Sequence, residues 1–251
     1  MNGWLESGLG WLTPSCCRLC GDVAGSGVLC RGCAGALRSY AEPTLVGWNA
    51  GNVDDGRAVR VRNQPAWPLD RVVCALTYEG PVRRLVHELK FEGALPIGRF
   101  FGEQLADSIR KSGAGQVRLL VPVPLHRSRV WQRGFNQSRE IARTLSQELQ
   151  IPLAWPGFCA RVRATQPQSS LAGGRLTRQR NVAAAFKVRG NVAGAAVAVV
   201  DDVVTTGATV VEFARTLRVL GAELVEAWIA CRAGEGTLGS AAGRSIGAED
   251  L

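Results

Sequence analysis

The stretch Val197-Ala-Val-Val-Asp-Asp-Val-Val-Thr-Thr-Gly-Ala-Thr-Val210 decides how this chain reads. Its opening run is apolar and rich in valine, the character of a strand buried on both faces. The run meets two adjacent acids, Asp201 and Asp202, then Thr205, Thr206, Gly207, Ala208 and Thr209; the spacing beyond predicts a helix over 209–220. A helix start offers unpaired N–H groups and a positive dipole end. Gly207 lets the backbone approach a ligand closely, and three threonine hydroxyls add donors. The turn therefore reads as a phosphate cradle. It carries no lysine and does not fit GxxxxGK[ST], which excludes a nucleotide-triphosphatase loop. Carboxylates at the end of such a strand can accept from adjacent ribose hydroxyls. Without the Thr/Gly loop, they would read as a strand-end turn with a helix cap.

Working outward, 71–78 is a β-rich apolar run. Residues 81–90 read as helix, with Pro81 in the first turn and Val82, Leu85, Val86 and Leu89 at helical spacing. A second helix covers 100–111 on the stripe Phe101, Leu105, Ile109. A short strand at 117–123 is closed by Pro122 and Pro124. A helix at 136–150 aligns Ile141, Leu145 and Leu149 and stops before Pro152. Residues 151–159 read as strand or sheet edge, 161–180 as a long mobile basic loop, and 195–202 and 223–231 as further strands. Alternating strands and helices predict an α/β fold with a parallel sheet covered on both faces. Ligands in such sheets sit at the carboxyl ends of strands, here near Val123, Asp202 and Arg161.

The 251 residues accommodate one α/β domain plus a small appendage. The expected division is a cysteine module over 1–39, a Pro/Gly/Asn/Asp-rich linker over 40–70, the main domain over 71–232 and a disordered Gly/Ala/Ser-rich tail over 233–251. No apolar run approaches the roughly 20 residues of a membrane helix. Residues 1–15 lack a basic n-region and make a poor signal peptide, so a cytoplasmic protein is expected. The net charge is +9; residues 127–180 alone hold ten arginines against Glu140 and Glu148. Such a basic window suits phosphate ligands or nucleic acid. Arginine outnumbers lysine 27 to 3 across the chain, which equally fits a solvated basic face.

Of eight cysteines, Cys17-x₂-Cys20 and Cys30-x₂-Cys33 form two CxxC pairs nine residues apart. Four thiolates so arranged suit a closed, tetrahedral structural Zn²⁺ site, with free or redox cysteines as the alternative. Cys16 could replace Cys17. Cys74 and Cys231 read as core, and Cys159 lies at a strand end.

These motifs resemble the type I phosphoribosyltransferases. More narrowly, Val121-Pro-Val-Pro-Leu-His126, Arg133-Gly-Phe-Asn-Gln137, Leu89-Lys-Phe-Glu-Gly93, and Arg178-Gln-Arg-Asn181 with Phe186 resemble the ComF family, also called GntX-like or competence-associated. The cysteine module fits the same pattern, so the resemblance spans about 15–232. It implies the type I phosphoribosyltransferase fold with a small N-terminal zinc-binding module. Many relatives resemble a double zinc ribbon; residues 40–70 hold no cysteine, so one zinc at most is expected.

The resemblance also implies roles. Asp201 and Asp202 would bind the ribose 2′- and 3′-hydroxyls of phosphoribosyl pyrophosphate. Val203 and Val204 would belong to the substrate-binding stretch, and Thr205, Thr206, Gly207, Ala208 and Thr209 would wrap the 5′-phosphate. Pro124, Leu125, His126 and Arg127 would form the pyrophosphate loop, and 161–180 the closing loop. Catalysis would be mainly electrostatic, with Mg²⁺ accompanying the ligand and Arg133, Arg178 and Arg180 stabilising the departing pyrophosphate. Each arginine reads equally as an exposed charge. His126 would contact pyrophosphate or cap a turn, and Lys90 would bind ligand or complement a helix dipole. An unknown acceptor would be read by a hood around 82–110. The competing expectation is a non-catalytic component of DNA uptake, engaging nucleic acid or a helicase partner through the zinc module and basic face. No helix-turn-helix is present. Association into a homo-oligomer stays open.

Overall fold

In the computed structural model, residues 15–25, 27–37, 39, 67–113, 116–162 and 185–233 are described. Most of the expected linker, nearly all of the tail, and Arg178 and Arg180 lie outside them. In chain order the elements are β1 (Ser15–Cys16), β2 (Val23–Gly25), α1 (Arg31–Ala36), β3 (Arg71–Thr77), α2 (Gly80–Phe91) and α3 (Leu95–Ser112). Then follow β4 (Leu119–Pro122), α4 (Arg127–Arg133), α5 (Gln137–Leu149), β5 (Cys159–Arg161), β6 (Phe186–Val188), β7 (Ala196–Val204), α6 (Ala208–Val219) and β8 (Leu224–Arg232).

The quoted stretch supplies a central strand. The main sheet has the order β3-β8-β7-β4, and all three pairings are parallel. Because side chains alternate across a strand, β7 divides its valines and alanines between two layers. Val197 and Val199 pack with Val210, Phe213, Ala214 and Leu217 of α6. Ala198 and Val200 face the opposite layer, built from α2, α3 and α5. That layer needs a close helix pair: a Cβ at Gly102 would lie 2.5 Å from Thr144 Cβ, so only a residue without one fits between α3 and α5.

Several boundaries differ from the sequence expectation. β7 runs past both acids to Val204, since Val203 and Val204 still pair with Cys231 and Arg232 of β8. Helix α3 begins at Leu95, with Pro96 tolerated in the first turn, where its missing N–H would be unpaired anyway. Arg127, expected in a loop, opens α4. Residues 82–110 are mostly α2 and α3 packed against a sheet face, so this segment covers the sheet and does not stand over it as a hood. The edge segment adds one parallel bridge, Leu153 to Leu120, and then the β5–β6 hairpin, which the sequence did not announce.

The cysteine module is a β1–β2 hairpin followed by α1. Its Cys17, Leu29 and Leu37 belong to the same apolar cluster as Val82, Leu85 and Val86 of α2. Ser39 bridges Leu76 of β3 in antiparallel sense, and Arg18 pairs with buried Glu88 at 3.4 Å.

Candidate functional site

Asp201 and Asp202 sit near the carboxyl end of β7, both under a tenth exposed. Two carboxylates rarely leave water unless other groups satisfy them. Here Ser138, in the first turn of α5, donates from Oγ to Asp201 Oδ1 at 2.9 Å. The Asp202 N–H donates to the same oxygen at 3.0 Å, and the Val203 N–H donates to Asp202 Oδ1 at 2.8 Å. Lys90, at the end of α2, forms an ion pair with Asp202 Oδ2 at 2.8 Å.

Burial pushes the Asp201 carboxyl up to about 7, and the neighbouring Asp202 charge adds to the effect; Ser138 and Lys90 only partly offset it. Burial works against the charge on Lys90, but Asp202 outweighs it and the ammonium's pKa is raised. Burial lowers Arg133, whose charge is felt by Asp202, and also Arg161, where Arg129 adds repulsion.

The turn after β7 reaches the surface at Thr205, while Gly207 is buried. Thr205 is exposed, while Thr206, Ala208 and Thr209 are half-buried. Gly207 has φ 73°, a left-handed conformation that side chains disfavour, and it stands at the N-cap of α6 with no side-chain cap bond. The Thr206 Oγ1 atom is out of solvent and finds no hydrogen-bond partner among the described residues. Open N–H groups at a helix start beside an unsatisfied hydroxyl make a site ready for an oxyanion.

Next to it lies the segment after β4. The Val123 N–H donates to Val200 O at 2.9 Å, and Asn136 Nδ2 donates to Val123 O at 3.0 Å, which fixes the turn. His126 is the N-cap of α4: its Nδ1 accepts from the Ser128 N–H and lies 2.8 Å from Ser128 Oγ. Its backbone bridges Arg161, joining the carboxyl end of β5 to this turn. Arg133 lies over the Phe91 ring at 5.1 Å and donates to Gln137 Oε1 at 3.3 Å. A cavity of about 250 Å³ opens behind Pro124 and Leu125, between Arg139 of α5 and Trp155 and Phe158.

The fold thus brings the acids, Lys90, Arg133 and Ser138 together. Ser138 was missed in the sequence; its only signal was a Ser in the first turn of a helix following a strand. Arg161, expected at a ligand-binding strand end and at the start of the closing loop, is the last residue of β5.

At the other pole, the Sγ atoms of Cys17, Cys20, Cys30 and Cys33 lie within 4.8 Å of one another, close enough to hold a metal ion. Cys16 is exposed on β1 and is not in this group. Burial opposes ionisation of Cys17, but backbone N–H groups of Cys20, Cys30 and Leu19 bring it down to about 6.

Comparison with known proteins adds to this geometry. The family model for the phosphoribosyl transferase domain matches residues 136–246. The chain is 36% identical to the DNA utilization protein YhgH of Salmonella typhi, over 90% of this chain and 97% of that protein. It is 30% identical to competence protein F of Haemophilus influenzae, over 82% and 90%. Among solved structures, the purine phosphoribosyltransferase of Pyrococcus horikoshii matches 64% of this chain and 75% of its own at 16% identity, with a TM-score of 0.30, too low to carry weight.

The raised Asp201 carboxyl has a consequence for stability. From its ordinary value of 3.8 up to about 7, the folded chain keeps a proton that the unfolded chain has released. This group's contribution therefore falls as pH rises through that window. Asp201→Asn is expected to match the parent near pH 4 and to exceed it at pH 8, as measured by urea denaturation at both values.

Proposed function

Since the chain belongs to the ComF family of type I phosphoribosyltransferase-like proteins, we propose that it binds phosphoribosyl pyrophosphate at the β7–α6 turn and transfers ribose 5-phosphate to an acceptor. The observation that carries this reading is the sequence of groups along β7: two buried acids, then a turn in which Thr205 is exposed, Thr206 half-buried, and Gly207 buried and left-handed at a helix start with no side-chain cap. The 5′-phosphate would take the N–H groups of the turn and the Thr206 hydroxyl, while the ribose diol would donate to Asp201 and Asp202. The segment 124–126 and Arg133 would face the pyrophosphate.

In the transfer, the C1–O bond breaks with its electron pair going to pyrophosphate, and C1 passes through an oxocarbenium-like state before the acceptor bonds to it. Arg133, flanked by Phe91 and Gln137, would stabilise the charge on the departing group, and Arg178 and Arg180 would share the same task. His126 serves the turn by capping α4. Mg²⁺ supplies charge neutralisation on the pyrophosphate. Among the described residues no third carboxylate or histidine joins the acidic pair to make an ion site, so the ion would ride on ligand oxygens.

The four-cysteine cluster fits Zn²⁺. A tetrahedron with Zn–S of about 2.3 Å needs sulfurs about 3.8 Å apart, and Cys20 Sγ to Cys30 Sγ is 3.7 Å. The ion would be structural, closing a module too small to hold its own core.

A second reading rests on α4. Trp131 is 87% exposed, and Arg127, one turn earlier on the same helical face, is exposed as well. An exposed indole beside arginine suits stacking of unpaired bases, and relatives carry names of DNA utilization and competence. No helix of the described residues is long and apolar enough to cross a membrane.

Phosphoribosyl pyrophosphate with Mg²⁺ is expected to raise the melting temperature, and Asp201→Asn with Asp202→Asn to abolish that shift in a folded protein. A shift that survives the double substitution removes the acids from the site. A pyrophosphate-release screen over purines, pyrimidines, ammonia and other amines identifies the acceptor. Elemental analysis should find one zinc per chain, kept in Cys16→Ser and lost in Cys17→Ser. For the second reading, Trp131→Ala should weaken binding of a single-stranded oligonucleotide about tenfold in a gel shift, and wild-type binding should fall steeply with salt.

A further inference from the structure

Lys90 ends α2, a helix committed to the core through Val82, Leu85, Val86 and Leu89. Two residues back along the helix, on the opposite face, buried Glu88 is tied by Arg84 at 2.9 Å and by Arg18 of the cysteine module at 3.4 Å. The lysine side chain is 23% exposed and reaches 2.8 Å from Asp202 Oδ2. Its position is therefore set by a fixed backbone.

The hydrogen-bond accounting around the acids shows what this contact achieves. Asp202 Oδ1 accepts the Val203 N–H, and Asp201 Oδ1 accepts Ser138 Oγ and the Asp202 N–H. What remains for a ligand is Asp201 Oδ2 and the spare lone pairs of Asp202. A cis diol brings two donors and needs two acceptors. Adjacent carboxylates away from water repel, and such a pair holds on to a proton. A protonated carboxyl there would present a donor where the diol needs an acceptor. A cation fixed on Asp202 eases that conflict only in part, but it holds the carboxylate in one orientation.

We propose that Lys90 is a positioning residue that sets sugar specificity: by pairing with Asp202 Oδ2 and holding that carboxylate in one orientation, it makes the site select a sugar phosphate with a cis 2,3-diol over its 2-deoxy counterpart. This rests on the proposed sugar-phosphate site at β7–α6. The lysine touches the acid and not the sugar, so its effect appears in discrimination between sugars and not in grip on the phosphate, which the turn after Asp202 supplies.

The test compares calorimetric affinities of the full chain for ribose 5-phosphate, 2-deoxyribose 5-phosphate and inorganic phosphate. The wild type should favour the ribose form by about tenfold or more, the scale of one hydrogen bond to a charged acceptor. Lys90→Met should cut that preference to about threefold or less and leave inorganic phosphate binding unchanged; Lys90→Arg should restore most of it. Removing one member of a buried ion pair can unfold a protein. Lys90→Met is therefore also made in Asp202→Asn, where it should leave the selectivity of Asp202→Asn unaltered. The proposal is overturned if Lys90→Met retains the wild-type preference, if it weakens all three ligands equally, if it binds ribose 5-phosphate more tightly, or if the double variant loses selectivity beyond Asp202→Asn. A wild type that binds neither sugar phosphate overturns the site assignment itself, and this role with it.

Discussion

Two carboxylates held side by side out of water are the costliest local feature of this chain, and much of its architecture is arranged around them. Desolvating like charges is tolerated only where fixed donors and a counter-charge replace water. β7 contributes its own N–H groups through Asp202 and Val203, α5 contributes Ser138, and α2 contributes Lys90. Three elements from distant parts of the chain converge on two residues. The Asp201 carboxyl is still left near 7, strained relative to an ordinary aspartate.

The rest of the fold holds these donors in place. The paired layers on either side of β7 fix its height relative to α2 and α5, and the close approach at Gly102 brings α3 and α5 together as one slab. The cysteine module packs on the same α2 that carries Lys90, through Leu29, Leu37 and the Arg18–Glu88 pair. The module and the acids are therefore joined by a single helix, with Glu88 facing one and Lys90 facing the other. A small cysteine-held unit gains a core by leaning on the sheet domain, which is why it needs no large core of its own.

Local patterns were the legible ones. The valine run, the acids and the Thr/Gly turn announce themselves within fourteen neighbouring residues. The two CxxC pairs do so within seventeen, and Cys17, not Cys16, proved to be in the cluster. Helices α2, α5 and α6 were readable from apolar spacing. The end of β7 was misjudged because charges commonly terminate strands; continued pairing with β8 keeps both acids inside the ladder. Helix α4, Arg-Ser-Arg-Val-Trp-Gln-Arg, buries none of its residues and so shows no apolar stripe. β5 and β6 have three residues each, too few for an alternating pattern to register.

By itself the sequence determined where the Thr/Gly turn lies, which acids precede it and which thiols can share a metal ion, because each depends on residues near one another along the chain. The company those acids keep was decided only by the tertiary structure. Ser138 lies 63 residues from Asp201, and Lys90 is farther still from Asp202. An ion pair of this kind forms when packing brings two faces together, and no spacing along the chain encodes it. The same packing sets the burial that raises Asp201, since desolvation belongs to the assembled core and not to the residue.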